Sequence, residues 1–192
     1  MGASSTATDR VRPSDVMLVS LPFGMLNSPS LALGILQARL KAAGIEARCR
    51  HLTLDYAARI GTEIYNNIAS GFPRTTDLLG EWIFSHAVAP KTAVRQRAYL
   101  ARTLGVDGLE IEPASGRVVS KGPDKAKAGL EESLVELAAT APAFVDYAAR
   151  EILRHAPKAG GLTTVCQEHV AALAVAARLR ELDGSVKIML DG

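Results

Sequence analysis

The residues able to do chemistry are sparse in this chain. Four histidines, His51, His86, His155 and His169, stand apart, with no HExxH or paired His/Cys spacing suited to a metal. Cys49 and Cys166 are too few for a disulfide framework, a zinc site or an iron–sulfur site, and they fit a reduced, cytosolic protein. No GxSxG elbow supports nucleophilic hydrolysis, and neither a P-loop nor a GxGxxG is present to cradle a phosphate. Three short stretches remain as candidates for a ligand site. The first is the loop holding Pro22, Phe23, Gly24, Leu26, Asn27, Ser28 and Ser30. The second is Cys166, Gln167, Glu168 and His169, and the third is the terminal pair Asp191 and Gly192.

Each candidate also has a plainer reading. Cys166 suits a ligand pocket or a small buried hydrophobe equally. Glu168 favours the positive end of a helix dipole, which needs no function. His169 faces a ligand or simply starts a helix in solvent. Trp82 and Phe84, at helical spacing, read as core ahead of a cofactor platform.

The three stretches make one site only if the fold brings them to one edge. The stretch from Asp15 to Leu33 opens with the unbroken apolar run expected of a strand buried on both faces of a parallel sheet. A helix then starts, with Ser28 as its cap and Pro29 at the first helical position, where a missing N–H costs nothing. Leu31, Leu33, Ile35, Leu36 and Leu40 predict a wide apolar stripe, and Gly44 a left-handed stop. Ile45 to Leu54 alternates and predicts a second strand near the sheet edge, parallel to the first.

Asp55 to Ser70 predicts a helix, ended by Gly71-Phe72-Pro73. Residues 71–160 then read as a mostly helical insertion that packs beside or over the sheet. Within it, Leu109 to Glu112 and Arg117 to Val119 predict a surface hairpin joined by Pro113 to Gly116. A long helical pattern follows from Asp124, with Pro142 kinking it or starting a second helix, and His155-Ala-Pro-Lys-Ala-Gly-Gly161 ends it. Leu162 to Cys166 predicts a strand. The helix after it begins near Glu168, and its first turns are small and apolar nearly all round, as for a helix lying close against a sheet. Val186 to Leu190 is one more buried strand, and the chain reaches Asp191-Gly192 at its carboxyl edge. A covering helix normally follows such a strand, so the fold is expected to be incomplete at the carboxyl terminus. The fold class predicted is therefore α/β, a Rossmann-like open parallel sheet over residues 15–192, after a polar tail at 1–14.

Composition narrows the classes further. At 192 residues, 48% hydrophobic and 22% charged, the chain can bury a substantial core. A net charge of +2, with acids and bases interspersed, gives no electrostatic case for nucleic acid or an acidic membrane surface. No apolar run reaches the length of a membrane span, and residues 1–14 lack the apolar region of a secretory signal.

The ordered set Met17-Leu-Val-Ser-Leu-Pro-Phe23, Asn27, Pro29-Ser-Leu-Ala-Leu-Gly34, Ala58-Arg-Ile-Gly61 with Tyr65, Leu79-Gly-Glu-Trp-Ile-Phe84 and Val170 to Leu179 resembles the opening of the cobalamin-dependent radical S-adenosylmethionine proteins. Within them it is most similar to those that mature ribosomally made peptides. The resemblance covers most of residues 15–90 and 162–192. It implies a cobalamin-binding Rossmann-like domain, with Leu21 to Ser30, Cys166 to His169 and Asp191-Gly192 as three edges of a corrinoid platform. In that family a separate downstream barrel carries the CxxxCxxC motif, the 4Fe-4S cluster and S-adenosylmethionine, and acts on the peptide substrate. This sequence contains no CxxxCxxC and no Asp-x-His-x-x-Gly cobalamin motif, so the resemblance implies a domain that binds or docks and does not catalyse alone. Two other readings are a stand-alone Rossmann-like interaction module without cofactor and a small nucleotide-using enzyme. The missing phosphate loops disfavour the latter.

Overall fold

The computed structural model describes residues 13–28, 30–89, 91–104, 109–111, 118–120 and 125–191. Among them, four parallel strands form one open sheet: β1 (Val16–Ser20), β2 (Ala47–His51), β5 (Ala159–Thr163) and β6 (Lys187–Asp191), in the order β2-β1-β5-β6. This is a Rossmann-like α/β fold. β2 lies at the edge, as its polar alternation predicts. The register pairs Ser20 with His51, Val19 with Leu162, and Thr163 with Asp191.

Helices α1 (Leu31–Ala42), α2 (Leu52–Ile60), α3 (Thr62–Ala69), α4 (Leu79–Val88), α5 (Ala93–Thr103), α6 (Lys125–Leu153) and α7 (His169–Leu182) complete the domain. The segment expected to be an insertion is part of the main layer. α4, α6 and α7 pack on one another, and their buried side chains join those of β1 and β5 in one core. Phe84, Phe144, Tyr56 and Phe23 form an aromatic cluster there, with ring centres 4.5–6.1 Å apart. Edge and tilted contacts of this kind add to the area they bury. Trp82 stacks on Tyr99 at 4.9 Å, so both large α4 aromatics, Trp82 and Phe84, are core. Burial pushes the Tyr56 hydroxyl up to about 12.

Several boundaries differ from those the pattern predicts, for local physical reasons. The cap of α1 is Ser30, whose hydroxyl accepts from the Leu33 N–H at 3.3 Å, and Ser28 precedes it as an exposed loop residue. Pro29 lies outside the described residues. The helix expected over 55–70 is split at Gly61, whose φ of +93° favours glycine, into α2 and α3. α6 runs through Pro142 as one helix. β5 begins at Ala159 and includes Gly160 and Gly161, which read in sequence as a stop. A Cβ on Gly161 would stand 3.0 Å from Leu18 Cδ2, so this strand passes close to its neighbour's side chain. The surface hairpin is present as β3 (Leu109–Ile111) antiparallel to β4 (Val118–Ser120), and its joining residues lie outside the described set.

The two faces of the sheet are unequally covered. One meets the main core; the other meets only α1, through a small cluster of Val16, Leu18, Leu33 and Ala47. The apolar stripe expected on α1 is therefore mostly open: Leu33 is buried, but Leu31 is 77% exposed and Ile35 54%. Among the described residues no helix is long and apolar enough to cross a membrane.

This asymmetry sets the stability map. Phe144→Ala, at a position 1% exposed, is expected to cost about 3–5 kcal/mol. Leu31→Ser is expected to change stability by no more than about 0.5 kcal/mol. Urea unfolding of both variants checks this; equal losses would contradict it.

Candidate functional site at the carboxyl edge

Among the four sheet strands, the order along the sheet reverses between β1 and β5. In open α/β sheets such a switch point opens a crevice at the carboxyl ends of the strands, where ligands bind. A pocket of about 310 Å³ lies there. Ser20, His51 and Thr163, at the ends of β1, β2 and β5, contribute its sheet side. The β1–α1 loop adds Gly24, Met25, Leu26, Ser28 and Ser30. Thr53 and Leu54 enter from α2, and Val165 and Glu168 from the β5–α7 loop. Met25, Leu54 and Val165 are more than half exposed, which gives the opening apolar surroundings.

The β1–α1 loop keeps its shape because one residue anchors it. Phe23 turns inward against Tyr65 and Tyr56, with ring centres 5.0 and 5.6 Å away. Tyr65 donates its hydroxyl to the Gly24 carbonyl at 2.8 Å, and burial holds that hydroxyl well above its ordinary range. Gly24 then lies against Glu168, where a Cβ would come within 2.6 Å of Glu168 Oε1. With Phe23 inward, the residues after it rim the pocket.

The β5–α7 loop is tied down as firmly. Gln167 is buried in a left-handed conformation, with φ of +71°, unusual outside glycine. Its side chain donates to the Ile68 carbonyl at 2.7 Å and accepts from the Gly80 N–H at 2.6 Å. Its own carbonyl accepts from the Phe23 N–H at 3.3 Å. A Cβ on Gly80 would stand 2.7 Å from Phe23 Cδ2, so only glycine lets α4 approach. Next, Glu81 reaches from α4 and accepts from the N–H groups of His169 and Val170 at 3.1 and 2.6 Å. It caps the start of α7 with a carboxylate from another helix.

Among the described residues Glu168 supplies the pocket's only carboxyl. Its Oε2 accepts from Thr163 Oγ1, which in turn accepts from the Leu21 N–H at 3.3 Å. Burial pushes this carboxyl above its usual range. Hydrogen bonds from Thr163 and the Val165 backbone offset part of the effect, and the Glu81 charge adds to it. Opposite, Ser20 Oγ and His51 Nδ1 are 3.0 Å apart. Among the described residues no three His, Cys, Asp or Glu side chains come together to hold a metal ion.

The predicted site residues divide accordingly. Gly24, Leu26, Ser28, Ser30 and Glu168 line the pocket. Pro22, Phe23 and Gln167 are buried behind it and shape it, while Asn27, Cys166 and His169 are exposed beside it and do not line it. Asp191 ends β6 next to Thr163, and Gly192 lies outside the described residues. Ser20, Met25, His51, Thr53, Leu54, Thr163 and Val165 were not singled out by the sequence. Strand-end position was the signal available: each strand–helix junction at a carboxyl edge contributes its last residues. No protein family, curated protein or solved structure was found to match this chain.

The raised Glu168 group links pH to stability. Its neutral form is the one favoured by the fold, so the stability it permits is full below the ordinary carboxyl value of about 4.3 and is lost as pH rises through the folded value. Glu168→Gln is expected to remove that loss, so that the variant gains on the natural protein as pH rises. Parallel urea midpoints for the two proteins from acid to neutral pH would contradict this.

Proposed function

We propose that this chain is the cobalamin-binding domain of a radical S-adenosylmethionine enzyme that modifies ribosomally made peptides by methyl transfer or a related step. The observation that carries the reading is the apolar-mouthed pocket at the switch point of a Rossmann-like sheet, lined in part by two of the three edges that the resemblance implies for a corrinoid platform, Leu21 to Ser30 and Cys166 to His169. At about 310 Å³ the pocket is at the small end for ligand sites. Its lining residues would hold one edge of a corrinoid, and exposed Met25, Leu54 and Val165 would offer apolar surface beside it. The fit is chemical as well as steric: the wall at Gly24 is already as close to Glu168 as a backbone can come, and the mouth is apolar. When bound, a corrinoid supplies a cobalt that can carry and hand on a methyl group.

The chain's own residues hold and orient the cofactor in this reading. The Phe23 anchor and the Gln167 ties keep the platform rigid before binding, which lowers the ordering cost of association. S-adenosylmethionine, the 4Fe-4S cluster and the peptide belong to a barrel domain, in the same chain or a separate one. The reading favours a cytoplasmic protein.

A second reading, an interaction module without cofactor, draws on the open apolar face of α1, where Leu31, Ile35 and Leu36 are exposed. Gel filtration of the protein mixed with hydroxocobalamin separates the two. Under the first reading the visible corrinoid spectrum elutes with the protein, and Val165→Arg at the mouth abolishes this while leaving the circular dichroism unchanged. Corrinoid eluting wholly apart from folded natural protein would overturn it.

A further inference from the structure

Two polar pairs in the pocket satisfy each other and leave one atom apiece. Ser20 Oγ pairs with His51 Nδ1, and His51 Nε2 has no hydrogen-bond partner among the described residues. Thr163 pairs with Glu168 Oε2, and Glu168 Oε1 is likewise without one. Neither is among the fully buried, unpartnered polar atoms, so both stay accessible from the pocket. The Glu168 carboxyl offers Oε1 as an acceptor. An imidazole whose Nδ1 accepts from the Ser20 hydroxyl offers an N–H donor at Nε2.

The surroundings select against charge. Among the described residues no lysine or arginine lines the pocket. The first amides of α7, which in a nucleotide-binding fold would face a phosphate, are already taken by Glu81. An anion entering the pocket would lose its water and meet Glu168 with no cation to pair with.

We infer that the pocket recognises an uncharged carboxamide, its N–H donating to Glu168 Oε1 and its C=O accepting from His51 Nε2–H, and that it rejects a carboxylate or phosphate of similar shape. This rests on the pocket being a ligand site, as in the preceding section, but not on the ligand being a corrinoid. Glu168 and His51 are the residues that set the specificity.

Benzamide and benzoate, close in shape and different in charge, test it by titration of the ¹⁵N-labelled full chain with nuclear magnetic resonance detection. Benzamide is expected to shift the Gly24, Thr163 and Val165 amides saturably at neutral pH, and benzoate to bind at least about tenfold more weakly. His51→Ala should weaken benzamide about 3- to 10-fold, the effect of one neutral hydrogen bond. Glu168→Gln keeps an acceptor and removes the charge, so it should retain benzamide binding and narrow the preference over benzoate. The spectra themselves report whether each variant is folded. Equal binding of the two probes by the natural protein, or no saturable benzamide shift, would overturn the inference. Failure of benzamide beside co-elution of hydroxocobalamin would sink this inference alone; the reverse would sink the corrinoid reading alone.

Discussion

The architecture of the carboxyl edge depends on the buried Gln167 side chain. One amide group, on a residue held in the left-handed region, joins the end of α3 at Ile68 to the start of α4 at Gly80, while its backbone carbonyl holds Phe23. Left-handed backbone costs a residue with a Cβ on the order of 1 kcal/mol. The bonds it makes in return are made where water cannot compete, and each would leave a costly unpaired group if lost. A buried amide can satisfy both a donor and an acceptor at once, which neither a hydrophobe nor a carboxylate can do. The position of Phe23 follows from this tie, and the path of the β1–α1 loop follows from Phe23.

The same region explains why the site differs from a nucleotide grip on a similar sheet. A helix beginning just past a parallel strand normally presents free N–H groups to a phosphate. Here α7 is capped by Glu81 from α4, and Glu168 stands at the pocket wall with its carboxyl held toward the neutral form. The dipole is directed inward, to hold α4 and α7 together. Among the described residues the pocket is left with hydrogen-bonding groups, no cation and apolar walls, a composition suited to an uncharged ligand surface.

Much of the fold was legible in the chain. The apolar run before Pro22 and the alternation around Cys49 identify two strands and place one at the edge, and Gly44 does stop α1, with φ of +78°. Periodicity was less informative about what covers what. The stripe from Leu31 to Leu40 looks like a core face, yet only Leu33 is buried, because it alone joins the small cluster of Val16, Leu18 and Ala47 on β1 and β2. Gly160 and Gly161 read as a terminator because local propensity cannot register that Leu18 needs the space beside Gly161. Half of the pocket was hidden for a similar reason. His51 and Ser20 are 31 positions apart and face each other only through the parallel register. Conversely, the position of Gln167 marks it as a contact residue, whereas its role in the structure is internal, and no spacing rule announces a bond to Gly80, 87 positions away.

The account stands on the Gln167 tie, and the amide of Gly80 reports it directly. This N–H lies in the first turn of α4, where no backbone partner exists, and Gln167 Oε1 is its acceptor. Native-state hydrogen exchange is therefore expected to find the Gly80 amide as protected as the core amides of α4, and to find that protection selectively lost in Gln167→Ala. Exchange of Gly80 at the rate of an open loop amide in the natural protein, beside a protected α4, would contradict the account.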